Sequence, residues 1–143
     1  MSEDNRPDAK PAFHEIPVGT DLGSIEYEVG EKMVRRHVQA THQSPYPAQD
    51  GDQLAPVSIL SSDGLRLVEP SYDLSEAVHA GQRLEVINPP IVGSHVTVKG
   101  TLAEKFEKGG RHYLIIETVS EDDQGRLLAH GRTVVVARYR PED

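Results

Sequence analysis

The sequence predicts an α+β domain in which a curved antiparallel sheet wraps around one long helix. Apolar residues recur at helical spacing over residues 55–68, and four strand-like runs gather after that stretch instead of alternating with helices. At 143 residues, with 36% hydrophobic and 27% charged residues, the chain suits one domain with a single core.

The N-terminal part of the chain predicts one strand and one short helix. Residues 1–12 are polar and carry two prolines, so we expect a disordered lead-in before a single domain over 13–140. Residues 24–29 alternate as a strand does. Residues 31–42 place apolar side chains on one side and begin with an acid, which suits the helix dipole. The proline- and glycine-containing residues 43–53 predict a loop.

The long helix is predicted over residues 55–68. Pro56 suits the first helical position, where its missing N–H costs nothing. One apolar stripe is formed by Val57, Leu60, Gly64, Leu67 and Val68. A glycine inside a helix costs about 1 kcal/mol against alanine. Gly64 therefore indicates close approach to another element, although a merely tolerated glycine is the alternative.

The second half of the chain predicts a four-stranded antiparallel meander. Its runs are residues 77–87, 95–106, 111–119 and 126–138, with turns at 107–110 and 120–125. The third run is apolar on both faces around Leu114-Ile115-Ile116, which predicts a central strand. We expect these side chains to face inward: Val78, Ala80, Leu84 and Val86 in the first run, and Val96, Val98, Leu102 and Phe106 in the second.

Composition excludes several classes of function. A net charge of −8 argues against a nucleic-acid groove, which needs clustered lysine and arginine, and mildly against an anionic membrane surface. No run approaches the ~18–20 apolar residues of a membrane span, and the acidic, polar start is unlike a signal peptide. Without cysteine there is no disulfide or thiolate site, so we expect a reducing cytoplasm, although export is also compatible.

One helix against a curved antiparallel sheet is the hot-dog arrangement, and residues 78–94 carry a matching pattern. His79-Ala80-Gly81 and the following leucine, proline and glycine resemble the H-x-G-x-x-L … P-x-x-x-G strand of the MaoC-like hot-dog family of acyl-thioester hydratases and dehydratases. The likeness covers about residues 13–139. Leu54-Ala55-Pro56 is similar to the opening of the central helix in non-catalytic halves of double-domain hydratases, and less similar to the His-Gly-Met opening of catalytic copies.

The resemblance also identifies where the catalytic motif should lie. Catalytic members carry Asp-x-Asn-Pro-x-His after the first helix, because hydration of an enoyl thioester needs one group to take a proton and another to deliver one. The corresponding stretch here is His42-Gln43-Ser44-Pro45-Tyr46-Pro47. His42 stands in place of the aspartate and Pro47 in place of the histidine, and proline cannot transfer a proton. His42 alone could still act, since its ordinary pKa is about 6.5.

The remaining candidates are single residues. Asp63 is the acidic group that a hot-dog thioesterase could use, although capping, salt pairing or exposure is the plainer interpretation. By resemblance, thioester binding would fall to the helix opening at Pro56 and Val57, whose N–H could serve the oxyanion, and to the strand at His79 and Gly81. Structural hydrogen bonding is the favoured interpretation of His79.

Two other chemistries are disfavoured. His37 is expected to be a partly buried packing residue, and the serines of the long helix, Ser58, Ser61 and Ser62, lack nucleophile-elbow glycines, so a serine hydrolase is not favoured. No histidine pair has metal-ligand spacing with a carboxylate, so we expect no metal and no cofactor.

The leading hypothesis is a scaffold and acyl-binding subunit of an enoyl-CoA hydratase or 3-hydroxyacyl dehydratase. Its partners would be an acyl-CoA or acyl-ACP thioester and a second hot-dog chain, in a homodimer or a heterodimer with a catalytic subunit. The alternatives are a stand-alone hydratase or acyl-CoA thioesterase, and a non-catalytic acyl-CoA-binding protein. No nucleic-acid or membrane partner is expected.

Overall fold

The computed structural model describes residues 10–41, 48–49 and 51–137. The strands are β1 (Asp21–Glu28), β2 (Ala48–Gln49), β3 (Asp52–Gln53), β4 (Ala77–Val86), β5 (His95–Lys108), β6 (Arg111–Asp122) and β7 (Leu127–Ala137). The helices are α1 (Glu31–Thr41) and α2 (Asp63–Val68), with 3₁₀ helices at Phe13–Glu15 and Val57–Ser62. The α+β class and the wrapped-helix architecture are confirmed.

The main sheet has five antiparallel strands in the order β1-β5-β6-β7-β4. The predicted four-stranded meander is therefore wrong in one respect, because β4 pairs with β7 and not with β5. Residues 87–94 carry the chain from β4, at one edge of the sheet, to β5, which lies next to β1 at the other edge. Pro89 and Pro90 lie in this crossing segment, and proline cannot donate to a ladder. The middle position of β6 confirms the predicted central strand.

The long helix begins at Val57, one residue after Pro56, which was predicted to be its first helical residue, and it changes type along its length. Pro56 precedes it with φ −58° and ψ 130°, the 3₁₀ turn Val57–Ser62 follows, and α2 completes it. We call residues 57–68 the central helix. Leu60, Gly64, Leu67 and Val68 of the predicted stripe are buried, whereas Val57 is half-buried.

The predicted close approach at Gly64 is confirmed. A Cβ atom built on Gly64 would lie 2.3 Å from Oγ1 of Thr133, on β7. Contacts of that length do not occur between a real Cβ atom and an oxygen, so a larger residue would force Thr133 or the helix to shift. The glycine therefore allows the central helix to approach β7 this closely.

Two β-bulges overturn the predicted facing of apolar side chains. An extra residue reverses the alternation of a strand. In β4 the register shifts between His79 and Gly81, so Val78 pairs with Val136 on the outer face and is 45% exposed. In β5 a shift after Leu102 turns Phe106 outward as well. There its ring stacks on Tyr113 at 4.8 Å and stays 44% exposed.

The turn between β6 and β7 is organised by one aspartate. Oδ1 of Asp122 accepts hydrogen bonds from the backbone N–H groups of Gln124 and Arg126, and Oδ2 accepts from Nε of Arg126 at 2.9 Å. Burial alone would raise the pKa of the Asp122 carboxyl, but these hydrogen bonds outweigh it and hold that pKa below its ordinary value. Gly125 at φ 78° completes the predicted turn.

The first described residues lie against the segment after α2. The Nζ of Lys10 donates to the carbonyl of Glu69 at 3.0 Å, and the N–H of Asp73 donates to the carbonyl of Pro11 at 2.9 Å. Residues 10–12 of the predicted lead-in are thus held on the domain, and residues 1–9 lie outside the described part. Within that part, no helix has the length and apolar character that a membrane crossing requires.

Candidate functional site

A buried carboxylate, that of Asp63, lies where the 3₁₀ turn passes into α2, and its residue is 1% exposed. The Tyr27 hydroxyl donates to its Oδ1 at 2.7 Å, and Nη1 of Arg66 donates to the same oxygen at 2.9 Å. The Ser120 hydroxyl donates to Oδ2 at 2.6 Å. Both carboxylate oxygens are occupied, and the group ties the central helix to β1 through Tyr27 and to β6 through Ser120.

The surroundings of Asp63 explain its electrostatics. Burial raises its pKa, while hydrogen bonds from Ser120 and Tyr27 and the charge of Arg66 act against that rise. Burial and the neighbouring carboxylate raise the pKa of the Tyr27 phenol, so it stays protonated and donates. Arg66 also donates to the carbonyl of Ile59 at 2.7 Å and lies 4.6 Å above the Tyr27 ring. This closed arrangement favours a positioning role for Asp63 over direct chemistry.

A second polar contact joins α1 to the first turn of the central helix. Nε2 of His37 lies 2.6 Å from Oγ of Ser58, and both residues are half-buried. The Ser61 hydroxyl donates to the carbonyl of Ser58 at 2.6 Å, which braces the turn that carries Ser58. The predicted burial of His37 on the inner side of its helix is confirmed, but the imidazole also meets a hydroxyl.

The opening of the central helix is held by the crossing segment after β4. Ala55 is buried and its N–H donates to the carbonyl of Pro90 at 2.8 Å, and Leu54 forms an isolated bridge with Ile91. Pro56 is buried and has no N–H to offer, so Val57 provides the first helical N–H. Their proposed role toward a thioester stays a prediction.

His79 lies on the exposed edge strand with its ring fixed by a short chain of hydrogen bonds. Oγ1 of Thr133 donates to Oε1 of Gln82 at 2.8 Å, and His79 Nε2 lies 3.2 Å from the same oxygen and 3.0 Å from the carbonyl of Gly81. Since both partners are acceptors, these two contacts require Nε2 of His79 to be the donor. The structural hydrogen bonding favoured for His79 is what the structure contains.

The 3₁₀ turn that begins at Val57 packs beside β4, the strand that carries His79 and Gly81. A shared role of these residues in binding a thioester stays a prediction. A Cβ on Gly81 would meet only ordinary contacts at 3.6 Å, so the bulge there does not require glycine. The candidate His42 and the whole stretch to Pro47 lie outside the described residues.

The outer face of the sheet carries a polar hollow away from all of these groups. Its volume is about 880 Å³, and its lining includes Arg83, Lys99, Glu117 and Arg132. Arg132 forms ion pairs with Glu104 and Glu117. Of the predicted site residues that the structure describes, none lines this hollow, and its mixed charges give it no single sign to attract a charged ligand.

Sequence reasoning missed the partners of Asp63 and the contact of His37. Tyr27 alternates with glutamates on β1 and shares its inward face with Ile25, and Ser120 continues the inward positions of Leu114 and Ile116 on β6. A polar group at an inward position was therefore the available signal. Buried polar groups require partners, but the pairing across residues 27, 63 and 120 depends on a fold that one sequence does not give.

Comparison with known proteins now decides the family. A family model for the FAS1-like dehydratase domain region matches residues 17–131. The chain belongs to this family. The family match and the hot-dog fold together confirm the resemblance to MaoC-like hydratases and dehydratases.

Individual relatives agree with that assignment. A UPF0336 protein of Streptomyces griseus is 26% identical over 132 residues, covering 81% of this chain and 88% of that protein. The MaoC-like dehydratase of Rhodospirillum rubrum is 17% identical, with a TM-score of 0.71 over 91% of this chain and 98% of that one. The Mycobacterium tuberculosis HadBC complex, a 3R-hydroxyacyl-ACP dehydratase, is 15% identical, with a TM-score of 0.64 over 84% and 100%. At these identities the two structures establish the fold alone.

Proposed function

We propose that this chain is the acyl-binding scaffold subunit of a two-chain hot-dog hydratase or dehydratase, acting on an acyl-CoA or acyl-ACP thioester. The observation that carries the proposal is the departure of residues 42–47 from the family motif. His42 and Pro47 replace the aspartate and histidine that would transfer protons. A partner chain with an intact motif would supply that chemistry, in a reducing cytoplasm that suits a chain without cysteine.

The described side chains support this assignment because neither Asp63 nor His79 forms a carboxylate–imidazole pair that could replace the missing one. Asp63 is the acidic candidate on the central helix, yet its oxygens accept three hydrogen bonds inside the domain. His79 is exposed, but its Nε2 proton is shared between Gln82 and Gly81. A carboxylate and an imidazole held together are what enoyl hydration needs.

The free edge at β4 supports a second hot-dog chain as the partner. Among the described residues β4 pairs with β7 alone, so its other side offers ten residues of backbone for strand addition. Of the five most exposed large apolar side chains described, Val78, Val86 and Ile87 lie on or directly after β4. The HadBC complex, which this chain resembles in fold, contains two different chains by its name.

The first experiment measures hydration by the purified chain alone. Crotonyl-CoA and longer enoyl-CoAs are incubated with the protein, and the 3-hydroxyacyl-CoA product is separated and quantified, so that hydrolysis is not mistaken for hydration. We expect no hydration without a partner, and binding of a non-hydrolysable acyl-CoA. Substantial hydration by the lone chain would end the scaffold proposal, and binding by a lone homodimer that no partner activates would favour an acyl-CoA-binding protein.

The second experiment tests the edge. The chain is co-expressed with a hot-dog chain from the same genome that carries the intact motif, and the two are co-purified. Val78→Lys places a charge beside the β4 edge and should abolish co-purification. Val18→Lys is the matched control, because Val18 is 56% exposed and precedes β1. Equal co-purification of both variants would exclude β4 as the interface.

A further inference from the structure

The contact between α1 and the central helix plays no part in the scaffold role, and it has the geometry of a reactive pair. We infer that Ser58 and His37 form a nucleophile and base that hydrolyse acyl thioesters through an acyl-serine. The inference rests on the proposed function only for its substrate class. It names an activity, hydrolysis, that is distinct from hydration of the acyl chain.

The distance between the two groups carries the argument. The hydroxyl oxygen of Ser58 and Nε2 of His37 are 2.6 Å apart, within the reach over which an imidazole takes a proton from a nucleophile. Helices carry both residues, and positions on helices hold a pair more closely than loops do. Both side chains are half-buried, so the pair is partly withdrawn from water without being sealed from it.

The neighbouring serines single out Ser58. The hydroxyl of Ser61 donates to the Ser58 carbonyl, and Ser62 is exposed. Among the described residues, Ser58 is the central-helix serine that meets an imidazole. Ser58 does not lie in a nucleophile-elbow sequence, and the imidazole that it contacts lies 21 residues earlier in the chain. The pair is therefore visible only in the folded structure.

The chemistry balances with water as the second reactant. Ser58 Oγ bonds to the thioester carbonyl carbon while its proton passes to His37 Nε2, which requires the neutral tautomer with its proton on Nδ1. The C–S bond breaks, and the thiol leaves with the proton from Nε2. Water then attacks the acyl-serine, giving one proton to Nε2, and the ester C–O bond breaks as Ser58 recovers that proton. The products are a carboxylic acid and a thiol.

The competing explanation is a structural hydrogen bond that joins α1 to the central helix. Such a bond would be indifferent to substrate and would form no covalent product. Acylation of Ser58 is therefore the decisive readout, and it is measured on the wild-type chain, where no variant has to fold.

The test incubates the wild-type chain with butyryl-CoA. Thiol release is followed with a chromogenic disulfide, and butyryl transfer is located by mass spectrometry of the intact and digested protein. We expect butyryl-Ser58 and continuous thiol release. Ser58→Ala should abolish both, and His37→Ala should lower thiol release at least ~100-fold, the usual contribution of a general base. Ser62→Ala is the matched control and should keep the wild-type rate.

Three results would overturn the inference: no thiol release by the wild-type chain, release that survives Ser58→Ala, or an adduct on another residue. Its failure is separable from that of the scaffold proposal, because binding of a non-hydrolysable butyryl-CoA analogue is measured on the same preparation. Binding without release overturns the Ser58–His37 pair alone. Absence of binding overturns the pair and the acyl-binding role together.

Discussion

Removing the buried carboxylate of Asp63 should cost the domain a large share of its stability. In Asp63→Ala, the hydroxyls of Tyr27 and Ser120 and the guanidinium of Arg66 lose their shared acceptor. Breaking a buried ion pair by removing one partner typically costs about 3–5 kcal/mol. Because the Arg66 side chain is 28% exposed and can regain water, we expect the lower part of that range, about 3–4 kcal/mol.

The free energy of unfolding is measured by chemical denaturation at pH 7, with thermal melting beside it. A loss of this size should lower the melting temperature by roughly 10 °C in a chain of this length. Asp63→Asn keeps the shape of the side chain and one acceptor oxygen, so its free energy of unfolding should fall by about half as much as that of Asp63→Ala. Asp52→Ala removes an exposed carboxylate and should stay within about 0.5 kcal/mol of wild type. A loss below about 1 kcal/mol for Asp63→Ala would refute the network as a structural tie.

Three further predictions test particular contacts. Gly64→Ala should destabilise the fold by about 1–3 kcal/mol despite better helix propensity, because its Cβ would overlap the side chain of Thr133 on β7. Gly81→Ala, whose Cβ would make only ordinary contacts, should be nearly neutral in the same denaturation series. Asp122→Asn should cost about 1 kcal/mol at pH 7; since the folded pKa of Asp122 is lowered, that advantage of wild type should disappear as the pH falls below about 4, in melts at stepped pH. Phe106→Ala should cost about 1 kcal/mol, far less than the ~3–5 kcal/mol of a core phenylalanine, and a core-sized loss would contradict its outer-face position.

The fold class was predictable because periodicity reports it directly. The apolar stripe that ends in Leu67 and Val68 packs against the sheet as expected, and Leu114-Ile115-Ile116 lies on the middle strand, as its apolar character predicts. Gly64 carried a specific meaning, since a glycine inside an apolar helical stripe suggests that another element comes close. Each of these signals lies within one short segment of the chain, so it can be recognised without knowing how the segments pair.

The order of strands and the facing of two segments were not predictable by the same means. A bulge adds one residue without any marker in the apolar pattern, so Val78 and Phe106 were assigned to the wrong face. The only sequence signal for the crossing after β4 is Pro89-Pro90. These prolines indicate that a strand ends, but they do not indicate which strand the chain joins next. Which strands pair is a property of the whole fold.

Sequence alone predicts only those site residues that belong to one continuous motif. The replacements at positions 42 and 47 are visible in the sequence, whereas the network around Asp63 joins three distant segments. The contact between His37 and Ser58 likewise depends on how α1 lies across the central helix. A sequence gives residue types, and the distance that makes two of them a pair comes from packing.

The most direct test restores the missing proton-transfer groups. A variant carrying His42→Asp, Ser44→Asn and Pro47→His is compared with the wild-type chain in the hydration of crotonyl-CoA, with 3-hydroxybutyryl-CoA quantified as product. The scaffold account predicts no hydration by the wild-type chain alone and measurable hydration by the variant. Hydration of crotonyl-CoA by the wild-type chain at the same measurable rate as by the variant would contradict the scaffold account, because the chain would then already hold a working acid and base elsewhere.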